Sequence, residues 1–231
     1  MHKLLVFDLD GTLAPVAKGT SYDNIGRLKK LEQMGYRIVI CSGKPTFYLC
    51  GFARQLELDS PILIGENGAV VQYGVSLPPK RYEVYPCTDR AKEQLKAMKD
   101  KISKACGDRI WYQPNEIELT PFTGEAEVLD IIQEIVDNSK DELDELLVYR
   151  HWNCFDFIPK NIHKANGIEM VAKLEGLDRK DTLALGDGVN DVPMFQYADI
   201  SMRIGNDLDY PTDYSFDDIS SALDYVMEQK L

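Results

Sequence analysis

The chain has 231 residues, 44% hydrophobic and 28% charged, and a formal net charge of −12. That is an ordinary globular composition, long enough for one large domain or two smaller ones sharing a chain. A surface this acidic repels phosphate backbones, so no nucleic-acid partner is expected, although a small anion can still enter a locally positive pocket.

No apolar stretch approaches the ~20 residues a membrane span needs, so no membrane partner is expected either. The opening apolar run is too short and too soon acidic for a signal peptide. The cysteines are Cys41, Cys50, Cys87, Cys106 and Cys154. Their number is odd and none are paired as CxxC, so reduced cytosolic thiols are expected, with neither a disulfide framework nor a zinc site.

Lys3 to Phe7 reads as a strand buried on both faces. Residues 21–34 carry Ile25, Leu28 and Leu31 at helical spacing, with Ser21 as N-cap and Gly35 as stop. Tyr36 to Cys41 is a second strand, ending in Ser42-Gly43-Lys44. A further helical stretch leads to a third strand at Pro61 to Ile64. This alternation predicts a parallel α/β sheet. The three prolines of "SLPPKRYEVYP" then read as a linker. Residues 88–106 and 124–138 look helical, while 109–120 and 146–158 look strand-like, which together make an α+β insert. Ile158-Pro159-Lys160 reads as the return linker, and the acidic "DNSKDELDELL" as a solvated helix end. The first rhythm resumes with a helix at 165–175, strands at 182–185 and 198–202, and a final helix at 217–229. The fold class is therefore α/β, a Rossmann-like parallel core of residues 1–80 and 160–231, split by an inserted α+β domain at 81–159.

Open parallel sheets bind ligands at the carboxyl ends of their strands, and the notable polar residues fall there. Asp8 and Asp10 follow the first strand, Ser42 the second, and Asp187 and Asp191 the strand at 182–185. Lys164 opens a helix after the insert. Four carboxylates converging on one mouth need a cation, and Mg2+ suits hard oxygen ligands. Ser42 and Lys164 are donors that suit a phosphate. One carboxylate can attack phosphorus while a second moves the proton. Taken singly, each feature has a plain reading. "DG" is a common turn, Ser42 a helix cap, Lys164 a surface lysine, and "DGVND" lacks the glutamate of a calcium loop. The ordered set carries the signal.

That set resembles the haloacid dehalogenase superfamily of phosphatases. "DLDGT" (Asp8 to Thr12) matches its first motif, Ser42 in "CSGKP" its second, Lys164 its third and "GDGVND" (Gly186 to Asp191) its fourth. "ENGA" (Glu66 to Ala69) and "ADISMRIGN" (Ala198 to Asn206) resemble stretches of its Cof-like branch. The insert resembles the class II, subclass B cap in position and layout. The resemblance implies that Asp8 is the nucleophile and a magnesium ligand. Asp10 would be the general acid and base, with its backbone carbonyl on the metal, and Asp187 a direct metal ligand. Thr12 would shape the phosphate turn, Ser42, Gly43 and Lys164 would hold the phosphoryl group, and Asn67, Asn190 and Asp191 would orient the site or lie near the substrate. Lys44 departs from the more usual arginine and lacks its planar fork. The cap would close over the core and select the leaving group. In "YRHWNCFDF" (Tyr149 to Phe157), a continuous strand would put Arg150, Trp152 and Asp156 on one face and His151, Asn153 and Phe155 on the other.

The expectation is a magnesium-dependent phosphatase acting on a small phosphorylated metabolite, a sugar phosphate or phosphoglycolate, as a cytoplasmic monomer or small homo-oligomer. A sugar phosphate mutase is the second reading and a non-enzymatic phospho-acceptor the third. The second acid beside Asp8 favours turnover.

Overall fold

Every residue of β1 (Leu4–Phe7) is fully buried, and its side chains alternate between two cores. Leu5 and Phe7 enter one, Leu4 and Val6 the other. The computed structural model describes residues 4–231, so Lys3, the expected first residue of this strand, lies outside the described residues.

Chain order continues with α1 (Tyr22–Gln33), β2 (Arg37–Cys41), α2 (Thr46–Leu56), β3 (Ile62–Gly65), β4 (Val70–Tyr73) and β5 (Arg81–Val84). The inserted elements are α3 (Asp89–Cys106), β6 (Trp111–Tyr112), β7 (Pro121–Phe122), α4 (Ala126–Asn138), β8 (Leu146–Arg150) and β9 (Phe155–Pro159). The chain ends with α5 (Lys164–Glu175), β10 (Thr182–Gly186), α6 (Val192–Tyr197), β11 (Ile200–Ile204), β12 (Tyr214–Phe216) and α7 (Ile219–Gln229). Among the described residues, no helix is long and apolar enough to cross a membrane.

The chain divides into two units, one running to Tyr85 and resuming at His163, the other Pro86–Ile162. The first holds an eight-stranded sheet in the order β12-β11-β10-β1-β2-β3-β4-β5. It is parallel from β12 to β3 and antiparallel across β4 and β5. Apolar residues of α1, α2 and α7 cover one face, and those of α5 and α6 the other. The register aligns Phe7 with Leu185 and with Ile40. The strands at the centre of the sheet therefore end level, and the next residues of each meet at one edge.

Close packing seats α5 against that edge. A Cβ on Gly167 would fall 2.3 Å from Ile64 Cγ2 and 3.0 Å from Gly68 Cα. Gly167→Ala is expected to cost about 1–3 kcal/mol through overpacking, read as a lower urea midpoint at unchanged m-value.

In the second unit, Thr88 caps α3 by accepting the Ala91 N–H at 3.1 Å. Met98, Ile102, Val128, Ile132, Phe155 and Phe157 form its core with the faces of α3 and α4.

Several expectations need correction. "SLPPKRYEVYP" is not all linker: Arg81–Val84 pairs with β4 as an edge strand, because its residues beyond the prolines supply free N–H groups. Residues 81–85 accordingly belong to the first unit. The 109–120 run breaks after Tyr112, where Pro114 cannot donate and the Asn115 N–H turns back to Gln113 O at 2.9 Å. Ile158 and Pro159 lie within β9 rather than in a return linker, and the Lys160 N–H reaches Glu145 O at 2.8 Å. The acidic stretch after α4 is not simply solvated. Leu143 and Leu146 are buried, and Asp144 pairs with Arg90 at 2.8 Å. β11 starts two residues later than expected, and β12 is an added edge strand. Finally, "YRHWNCFDF" is a hairpin, with Arg150 opposite Phe155 and Tyr149 opposite Asp156, so no single alternation runs through it.

Candidate active site

At the end of β1 the Asp8 N–H still donates to Leu185 O at 2.9 Å, so β10 anchors the residue. The chain then closes a tight loop in which the Leu13 N–H reaches Asp8 O at 3.2 Å and the Gly11 N–H reaches Ala14 O at 2.8 Å. Gly11 has φ +94°, and a Cβ there would lie 2.3 Å from Asp187 Oδ2. Only glycine permits both that backbone and that approach. Thr12 Oγ1 donates to Asp187 Oδ1. The loops that follow β1 and β10 are thus in direct contact.

Lys164, the first residue of α5, is buried and sends its ammonium group to Asp8 Oδ1 and to Asp191 Oδ1, the latter at 2.5 Å. Asp191 is itself fully buried, and its Oδ2 accepts the N–H groups of Asp187 and Gly188, both at 2.9 Å. Burial pushes the Asp8 carboxyl up to about 7; the Lys164 charge opposes the rise and Asp191 adds to it. Burial also raises Asp187, against the Thr12 hydrogen bond and with repulsion from Asp191. For Lys164, burial pulls downward, but the two carboxylates outweigh it and hold the ammonium protonated above its usual range.

The carboxylate oxygens of Asp8, Asp187 and Asp191 lie within 4.8 Å of one another. Three carboxylates balanced by one ammonium leave an all-oxygen set with residual negative charge, which fits a small hard cation such as Mg2+. Asp10 is not the fourth member of this set. Its Oδ1 accepts the Ala17 N–H at 3.2 Å, and its Oδ2 lies 3.5 Å from Lys44 Nζ. Two acids separated by a single residue are thus kept from repelling each other by facing different partners. The Lys44 contact was not expected. Its only signal in the sequence was a cation placed two residues after Ser42.

Ser42 is buried after β2. Its N–H donates to Ile64 O at 2.9 Å, and its Oγ accepts the Lys44 N–H at 3.3 Å. The loop after β3 is stitched to it, with the Asn67 N–H on Ser42 O and the Glu66 N–H on Lys44 O, both at 3.1 Å. Glu66 and Asn67 adopt φ of 51° and 50°. The absence of a Cβ on Gly43 lets the Asn67 amide lie alongside, 3.2 Å from where that atom would be. Glu66, buried to 1% exposure, is a carboxylate of this edge that the sequence reading left unassigned. Asn190 is exposed in the loop before α6, with its Oδ1 close over Gly188. The structure therefore brings Asp8, Thr12, Lys164, Asp187 and Asp191 into one hydrogen-bonded group. It sets Ser42, Gly43 and Asn67 together in a second, and leaves Asp10 with Lys44 and Asn190 at the surface.

The chain is similar to known proteins throughout its length. A family model described as haloacid dehalogenase-like hydrolase matches residues 5–116 and 112–210. A 5-amino-6-(5-phospho-D-ribitylamino)uracil phosphatase of Bacillus subtilis is 23% identical, over 89% of this chain and 87% of that protein. Phosphoglycolate phosphatase 1 of Saccharolobus solfataricus is 25% identical, over 100% of this chain and 91% of that protein. A haloacid dehalogenase-like hydrolase from Bacteroides thetaiotaomicron has the same fold, with TM-score 0.78 and 19% identity over 98% of this chain and 100% of that one. With the family match spanning both polar loops and the insert between them, the chain belongs to the haloacid dehalogenase-like hydrolases.

Proposed function

We propose that this phosphoric monoester hydrolase works through a phosphorylated Asp8 and acts on a small phosphomonoester. The observation that carries the proposal is the buried Asp8 carboxylate, held at the strand end between a buried Lys164 and Asp187. Asp8 Oδ attacks phosphorus, and the bond to the leaving oxygen breaks as Asp10 gives that oxygen its proton. Asp10 then takes a proton from water, the water oxygen attacks phosphorus, and the Asp8–phosphate bond breaks to release phosphate. The Lys164 ammonium and the Ser42 hydroxyl donate to the phosphoryl oxygens, where charge spreads in the transition state. The Gly43 N–H is a third donor. Thr12 positions Asp187, and Asp191 positions Lys164 along with the backbone of the 187–188 loop. Asn67 and Asn190 flank the substrate. Asp8, Asp187 and the backbone carbonyl of Asp10 would hold Mg2+, which when bound offsets the charge of carboxylates and phosphate together.

Lys164, Ser42 and Gly43 recognise the phosphoryl group. We assign the choice among phosphomonoesters to residues of the inserted unit. The relatives above, one acting on phosphoglycolate and one on a phosphoribityl compound, support a sugar phosphate or phosphoglycolate as substrate.

The test is phosphate release from an aryl phosphate and a panel containing phosphoglycolate, sugar phosphates, nucleotides and phosphopeptides, with Mg2+ and with chelator. Release from the small phosphomonoesters that chelator abolishes is the expected result. Activity confined to nucleotides or phosphopeptides would overturn the substrate class, and activity indifferent to chelator would overturn the metal.

A further inference from the structure

The hairpin between β8 and β9 carries side chains that the reaction above does not use. The His151 N–H donates to Cys154 O at 2.8 Å and closes the turn. Phe155 and Phe157 point into the core of the second unit. Cys154 and Asp156 alternate with them and share the opposite face. The turn brings His151 back over that face, so its Nε2 lies 3.0 Å from Asp156 Oδ2. One imidazole nitrogen, the Cys154 sulfur and one Asp156 oxygen all lie within 4.8 Å of one another.

We propose that His151, Cys154 and Asp156 form a binding site for a zinc-type divalent cation. The donor set is the first reason. Thiolate and imidazole prefer borderline metals such as Zn2+ and disfavour Mg2+, the reverse of the all-oxygen set at Asp8, Asp187 and Asp191. The spacing is the second. Two ligands each about 2.0–2.2 Å from one tetrahedral ion sit roughly 3.3–3.6 Å apart, so the 3.0 Å between His151 and Asp156 would open by only a few tenths of an ångström. Anchoring is the third. Asp156 Oδ1 accepts Thr120 Oγ1 at 2.9 Å, which fixes the carboxylate while Oδ2 faces the histidine. Exposure is graded as an entry path requires: Cys154 is buried at 6%, the Asp156 side chain is 24% exposed and that of His151 48%. Three protein ligands leave a fourth position for water or an anionic group. No cysteine pair marks the site, because it draws on three residue types across one turn.

Binding of Co2+ to the metal-free protein, followed by absorption, tests this without reference to hydrolysis. A near-ultraviolet thiolate–cobalt band that saturates at one ion per chain is expected, displaced by Zn2+ but not by excess Mg2+. Cys154→Ser should lose the band. His151→Gln, at a half-exposed position, should weaken binding by more than the roughly 10–100-fold that losing an outer-shell partner costs. Asp8→Asn should leave the band unchanged, since it touches only the oxygen set. Absence of the band in the wild-type protein, its persistence in Cys154→Ser, or unaltered affinity in His151→Gln would overturn the proposal.

Discussion

Asp8→Asn should abolish phosphate release, with a fall in kcat on the order of 10⁵-fold, because the amide offers no anionic oxygen to attack phosphorus. The same variant should fold, and its stability should depend less on pH. In the metal-free protein burial raises the Asp8 carboxyl from 3.8 to about 7, so the folded state binds this proton more tightly than the unfolded state does. The stabilisation that follows is complete below about pH 4 and is lost as pH rises through 7. Asparagine has no such proton. Melting temperatures of metal-free protein should therefore fall between pH 4 and pH 8 in the wild type and fall less in Asp8→Asn. Parallel curves would show that Asp8 does not sit in the desolvated position described. Because a cation favours ionised Asp8, Mg2+ should raise the wild-type melting temperature more at pH 8 than at pH 5.

Lys164→Met is expected to be the most damaging single change to stability at this edge of the sheet. Methionine matches the length of the stem but removes the ammonium, leaving Asp8 and Asp191 buried without their shared partner. Breaking such a pair costs about 3–5 kcal/mol, because an uncompensated charge remains inside. Activity should be lost as well, since the proposed phosphoryl donor disappears. Urea unfolding of the purified variant measures the first effect. The double variant Lys164→Met/Asp191→Asn should recover part of the loss, because it removes one stranded carboxylate and keeps an oxygen to accept the N–H groups of Asp187 and Gly188. A single variant within about 1 kcal/mol of wild type would contradict the buried ion-pair arrangement.

Much of the core was legible because its signals are local. Apolar runs ending in Asp8, Ser42 and Asp187 mark parallel strands and their mouths together, and Ser21 and Gly35 bracket α1 closely. What escaped depends on partners distant in the chain. Arg81–Val84 looks like linker until β4 offers it an edge, and β12 is too short to have a pattern of its own. The hairpin at 151–154 defeated the period-2 reading because the turn holds His151 and Cys154, without the glycine pair that usually signals one. At the site, the sequence picks out which residues fall at the strand ends, but not their side-chain directions. Nothing in "DLDGT" says that Asp8 turns inward to Lys164 while Asp10 turns to Ala17 and Lys44. Nor does anything in "ENGA" say that Glu66 is buried.

The central claim, that Asp8 carries the phosphoryl group, is tested most directly by trapping. Asp10→Asn should still accept phosphate but hydrolyse the intermediate slowly. Mixed with an active phosphomonoester and then reduced with borohydride, this variant should yield homoserine at position 8 in the peptide spanning the first motif. Homoserine at another aspartate, or no reduction product while phosphate is still released, would contradict the account.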